Sequence, residues 1–106
     1  GLIVITAFIS PFQRDRERAR NLFRSEQFWE VYIDCPLEIC EQRDPKKLYR
    51  QAREGLIPEF TGISSPYELP ARPELVLLTA VEAVEECVDR LIQKLISDKV
   101  ISAKER

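Results

Sequence analysis

The feature that most constrains this chain is Leu2-Ile3-Val4-Ile5-Thr6-Ala7-Phe8, a run with no charge, proline or glycine that ends just before Ser10. Its continuous apolar, β-branched character reads as a strand buried on both faces, the pattern of a parallel sheet covered by helices. Ser10 then falls at the C-terminal end of a strand, where open α/β sheets hold their ligands. Pro11 and an arginine-rich segment follow at once, so the hydroxyl is presented at an edge.

The rest of the chain alternates in the same sense. From Gln13 to about Arg24, Ala19, Leu22 and Phe23 form one apolar stripe of a helix, and Arg14, Arg16, Arg18 and Arg20 are read as its solvated face. The β formers Phe28 to Ile33 predict a second strand, and Pro36 with Glu38 predicts the first turn of a short helix. Asp44-Pro45 is a candidate cap for another helix, which Gly55 stops. Prolines, Gly62 and a serine pair make Leu56 to Arg72 an ordered loop or lid, anchored by Ile57, Phe60, Ile63 and Tyr67. Glu74 to Thr79 is a third strand, Thr79-Ala80-Val81-Glu82 a capping box, and Val84, Cys87, Val88, Leu91, Ile92 and Leu95 give the apolar stripe of the last helix. Strand and helix in alternation predict an α/β fold with a parallel sheet and right-handed crossovers.

Composition removes other chemistries. A net charge of -2 argues against nucleic-acid binding by phosphate neutralisation, despite the arginine cluster. Three cysteines and no histidine exclude zinc-finger patterns and histidine-activated nucleophiles, and no metal ligand set is read from the sequence. The odd cysteine count fits a reducing compartment, and no run reaches the roughly 20 apolar residues of a membrane span, so a cytoplasmic location is expected. With no methionine and a start already inside a strand pattern, the chain reads as the middle of a domain.

Four blocks in order then carry a family resemblance. They are Phe8-Ile9-Ser10-Pro11-Phe12-Gln13-Arg14-Asp15-Arg16, the segment Asp34 to Gly55 with Arg43-Asp44-Pro45-Lys46-Lys47-Leu48-Tyr49, the segment Phe60-Thr61-Gly62-Ile63, and the strand Pro73-Glu74-Leu75-Val76-Leu77. Together they resemble the adenylyl-sulfate kinases (APS kinases), which phosphorylate adenosine 5'-phosphosulfate (APS) at its 3'-hydroxyl with ATP to give PAPS in sulfate assimilation. The resemblance implies a P-loop kinase-like parallel sheet with flanking helices. Residues 1–97 would form the C-terminal part of such a domain, with a lid at about 43–72, and 98–106 a charged tail. It places Ser10 at the acceptor site, at a position some members are described as phosphorylating. Ile9, Ser10, Lys46, Glu59 and Phe60 would contact APS, Phe60 by stacking on adenine. Arg43 and the turn beginning at Thr79 would border the adenine of ATP. It further implies Mg²⁺ for the complete enzyme, a homodimer, and a sulfurylase either fused or separate.

Phosphoryl transfer asks for positive charge near the transferred group and a lid that excludes water, roles that Lys46, Arg43 and Arg53 suit. It also asks for a phosphate cradle of the form Gly-x-x-x-x-Gly-Lys-Ser/Thr. The only glycines are Gly1, Gly55 and Gly62, none in that context. The expectation is therefore that the phosphate loop and the first strands of the fold are missing, leaving a gap of about 9–10 Å, two strand spacings, between the strands at 2–8 and 28–33. Such a chain is expected to be inactive alone. The alternative is a non-catalytic remnant that binds a nucleotide or dimerises; a kinase for other nucleotides fits the combined blocks less well.

Overall fold

The computed structural model describes residues 1–103. Helix α1 spans Gln13–Arg20 and a single 3-10 turn spans Ser25–Gln27; strand β1 is Val31–Asp34, and helices α2 and α3 are Leu37–Arg43 and Leu48–Arg53. Strand β2 is Leu75–Leu78 and helix α4 is Val84–Ser97. The two strands pair in parallel with Val31 opposite Leu75 and Asp34 opposite Leu78. A parallel pair cannot be closed by a tight turn, so the connection between them carries α2, α3 and the long loop. The α/β class and the parallel sheet expected from the sequence are both present.

The first expected strand is not. Leu2, Val4 and Ile5 are 95%, 80% and 82% exposed, and no strand pairing joins residues 2–8 to the sheet among the described residues. A strand satisfies its backbone groups only against a neighbour, and β1 pairs with β2 alone. The run at 2–8 therefore has the composition of a central strand without the hydrogen-bonding partner that would make it one.

Other boundaries shift for local reasons. Helix α1 ends at Arg20, leaving Leu22 exposed and Phe23 tilted against Phe28 with ring centroids 5.8 Å apart. Pro36 stands just before α2 rather than within it. Helix α4 starts at Val84 rather than near Thr79, because the capping box does not form. The Thr79 hydroxyl lies 3.5 Å from the Asp34 carbonyl, while the Glu82 carboxylate accepts the Leu78 N–H and pairs with Arg90. Asp44, by contrast, caps as its position suggested. Its two carboxylate oxygens accept the N–H groups of Tyr49 and Arg50 in the first turn of α3, at 3.0 and 3.1 Å. Of the expected tail at 98–106, residues 104–106 lie outside the described residues.

The core is small: Ala52, Leu77 and Cys87 are its buried hydrophobic members. Much of the remaining cohesion is ionic. The Arg20 guanidinium donates to both oxygens of Glu74, at 2.9 and 2.7 Å, and Glu74 also accepts the Glu30 N–H at 2.6 Å, tying α1 to the starts of both strands. Burial would raise the Glu74 carboxyl, but the Arg20 hydrogen bonds and charge outweigh it and hold the group below the ordinary glutamate range. Arg16 is buried beside Glu30. The reading of Arg16 and Arg20 as a solvated face is thus corrected, because interior carboxylates and carbonyls offer these two guanidiniums partners that Arg14, 84% exposed, does not have.

Candidate functional site

Two cavities share Ile33 in their walls: the larger runs along β1 from Val31 to Cys35, and the smaller lies by Leu77 and Thr79 at the carboxyl end of β2. The carboxyl end of a parallel sheet is where such folds leave a crevice between the flanking elements.

The larger cavity, about 590 Å³, is lined largely by aromatic and aliphatic side chains. Phe8 and Ile9 enter from the N-terminal run, Tyr32 from β1, Tyr49 from α3, and Phe60 and Tyr67 from the loop at 56–72. Tyr49 and Phe60 meet edge to face with centroids 5.0 Å apart, and Tyr32 stacks on Tyr67 at 6.1 Å. Such a lining offers flat apolar surface to a planar ligand. Of the residues assigned to APS, Ile9, Glu59 and Phe60 come together here although fifty positions of chain separate the first from the others. Ser10 and Lys46 do not line the cavity: both are exposed, and the part of Ser10 that is held is its carbonyl, which accepts from Arg16 at 2.6 Å.

Two of these segments are held in an unusual backbone. Ser10 and Glu59 have φ of 44° and 53°, the left-handed region that side-chain-bearing residues rarely adopt. Strain of this kind persists where surrounding bonds over-determine it. At Ser10 the bond is to Arg16, and beyond Glu59 it is the Phe60 turn, whose carbonyl accepts the N–H groups of Ile63, Ser64 and Ser65.

Three side chains of the larger cavity, Tyr32, Cys40 and Tyr49, are shifted toward their protonated forms. Burial pushes the Tyr32 phenol up, with Asp34 adding to it, and burial together with Cys35 does the same to the Cys40 thiol. The Tyr49 phenol rises through burial and its contact with Cys40. The chemistry on offer is therefore shape and hydrogen bonding rather than proton abstraction by these groups.

The smaller cavity, about 390 Å³, lies between β2 and α4 and includes Leu77, Val84, Cys87, Val88 and Leu91. Its polar rim joins the two residues assigned to the ATP base. Arg43 donates to the Thr79 carbonyl at 2.9 Å, and its other terminal nitrogen lies 4.0 Å from the Cys35 sulfur. Arg53, a sequence candidate, is engaged on the surface by Glu41 at 2.6 Å and lines neither cavity. No group of three His, Cys, Asp or Glu able to hold a metal ion occurs among the described residues. No described helix is long and apolar enough to cross a membrane.

Sequence reasoning missed Tyr32 as a wall and Arg16 as an interior group, and read Tyr67 only as an anchor. The usable signal for Tyr67 was its place in the loop after Phe60. For Arg16 there was none, since its neighbours in sequence are all charged.

Residues 1–78 match the family model described as adenylylsulphate kinase. The chain is 54% identical over 103 residues to an adenylyl-sulfate kinase of Marinobacter nauticus, covering 97% of this chain and 52% of that protein. It is 59% identical over 93 residues to a probable adenylyl-sulfate kinase of Bacillus subtilis, covering 88% of this chain and 47% of that one. Among solved structures it resembles the Mycobacterium tuberculosis APS kinase CysC in complex with AMPPNP and APS, with a TM-score of 0.76 at 42% identity, over 83% of this chain and 51% of that one. The chain spans about half the length of these relatives.

Proposed function

Since the chain belongs to the adenylylsulphate kinase family, we propose that it supplies the acceptor cleft and the adenine pocket of an adenylyl-sulfate kinase, an enzyme that moves the γ-phosphate of ATP to the 3'-hydroxyl of APS. One observation carries the reading. Ile9, Glu59 and Phe60, assigned to one substrate, share one cavity, while Arg43 and Thr79, assigned to the other, meet in a second cavity across Ile33. The solved relative holding both AMPPNP and APS supports two nucleotide sites in one domain.

In this reading Phe60 stacks on the APS adenine, with Ile9 and Tyr67 completing an apolar slot around it. Glu59 addresses polar groups at its mouth, and Lys46, exposed at the start of the lid, is free to swing toward phosphate. Ser10 marks the edge where the acceptor enters. Arg43, held by the Thr79 carbonyl, presents its planar guanidinium to the ATP base. Catalysis of this kind is positioning and charge stabilisation, and the residues here contribute the positioning. Mg²⁺, in the complete enzyme, would supply neutralisation of the charge on the ATP phosphates. The described residues lack a donor set for it, so none of the roles above depends on it. The phosphate cradle is likewise to come from a segment that this sequence does not contain, and the chain alone is proposed to be inactive. A cytoplasmic setting, a homodimer and a sulfurylase partner belong to the same proposal.

The test supplies the cradle separately. The chain is mixed with the P-loop half of the Marinobacter relative and ATP-dependent formation of PAPS is followed. Product from the mixture and none from either half is expected, with Phe60→Ala raising the KM for APS about tenfold or more, the scale of one lost base–aromatic stack. Two halves that co-purify as a folded complex yet make no product would overturn the reading.

A further inference from the structure

We propose that Arg16 is a positioning residue that clamps the exit of the 56–72 loop to the Ser10 segment, so that the two walls of the larger cavity are held as one unit. The proposal rests on reading that cavity as the acceptor cleft. Ile9 stands on one side of the clamp and Tyr67 on the other, and both line the cavity.

The geometry is that of a fork with its tines in two different segments. Nη1 of Arg16 donates to the Ser10 carbonyl at 2.6 Å, and Nη2 donates to the Glu68 carbonyl at 2.5 Å and the Gln13 side-chain oxygen at 2.8 Å. Nε lies 3.0 Å from a Glu30 oxygen, a charge pair without hydrogen-bond alignment. The guanidinium carbon also sits 5.6 Å from the centre of the Tyr67 ring. The side chain is 8% exposed, so it is the guanidinium that has left water, and it depends on these acceptors for its hydrogen bonds. Two further bonds cross the same joint: Glu68 N–H donates to the Pro11 carbonyl at 2.8 Å, and Gln13 N–H donates to the Glu68 carboxylate at 3.0 Å. Ser10 lies in the left-handed region directly at the clamped carbonyl, so releasing Arg16 frees a strained peptide at the cleft edge. A lysine cannot reproduce the fork, because its single ammonium nitrogen cannot span both carbonyls in plane.

Hydrogen exchange on the 106-residue chain tests this without any substrate. In Arg16→Met, the amides of Gln13 and Glu68 should both exchange at least about tenfold faster, the scale of one charge-assisted hydrogen bond, while Leu77 and α4 are unchanged. Acceleration at only one of the two, at neither, or equally along β2 and α4 would overturn the clamp and leave Arg16 a general structural residue. If Arg16→Met fails to fold, Arg16→Lys decides instead, because its ammonium keeps the charge beside Glu30 but cannot span both carbonyls. It should speed exchange at Gln13 and Glu68 with α4 unchanged, and no effect at either would overturn the clamp. In the reconstituted enzyme, Arg16→Lys should raise the KM for APS about tenfold and leave the KM for ATP unchanged. An equal rise in both, or full activity with lysine, would overturn it. If the unmodified mixture makes no PAPS, the functional reading falls while the exchange result still judges the clamp.

Discussion

Leu2–Phe8 and Leu75–Leu78 are near-equivalent in composition, and their fates are opposite. The second pairs with β1 and buries Leu77 to 6% exposure, while the first leaves Leu2 at 95% and Phe8 at 82%. Neither β propensity nor hydrophobicity separates them. What separates them is a neighbour: β2 meets the backbone of β1, and residues 2–8 meet no strand among the described residues. Apolar pattern states what a segment can bury, and a partner decides whether it does.

The contrast can be broken most forcefully by supplying the missing neighbour. When the P-loop half of a relative is bound, amides in residues 2–8 should gain at least about a hundredfold protection from hydrogen exchange, because they pass from free backbone to sheet ladder. Unchanged exchange in a catalytically competent mixture would show that the run is no strand even in the assembled enzyme. In the chain alone, Leu77→Ala should cost about 2–5 kcal/mol in denaturant unfolding. Ile5→Ala, at an 82% exposed position, should stay within about 0.5 kcal/mol; comparable costs at the two sites would erase the distinction.

A smaller effect concerns the ionic tie at the start of β2. The Glu74 carboxyl is held below its ordinary range, so its contribution is fully present above the unfolded value of about 4.3 and is lost as pH falls through the folded value. Melting curves of the parent chain and Glu74→Gln should differ at pH 7 and converge under acid. A gap that persists at pH 2 would assign the tie to something other than the carboxylate charge.

These differences also mark what the sequence could reveal. The alternation of strand and helix, the cap at Asp44 and the meeting of Arg43 with Thr79 were all legible, because each rests on local pattern or on four motif blocks taken together. The capping box at Thr79 failed because Asp34, 45 positions from Thr79, and Arg90, eight positions from Glu82, compete for its two side chains. Arg16 was read as solvated because its sequence neighbours are charged, whereas its burial is decided by Glu30 and Glu68, fourteen and fifty-two positions away. Ser10 and Lys46 were assigned to the acceptor site by motif alone, and neither lines the cavity that Ile9, Glu59 and Phe60 share.

The pairing of β1 with β2 has a consequence for the order of events as the chain folds. Glu30 and Glu74, which are hydrogen-bonded where the strands begin, lie 44 residues apart, and α2, α3 and the long loop after them are all contained in the loop that this contact closes. Closing such a loop is an entropic cost met before any parallel hydrogen bond repays it, so strand pairing is expected to limit the folding rate. Helices α2 and α3 can form early from local contacts. The two cavities cannot, because Ile33 and Thr79 take up their places only once the strands are in register. The proposed binding surfaces are therefore among the last features of the molecule to appear, and a slow folding phase and any gain of nucleotide affinity should share one time constant.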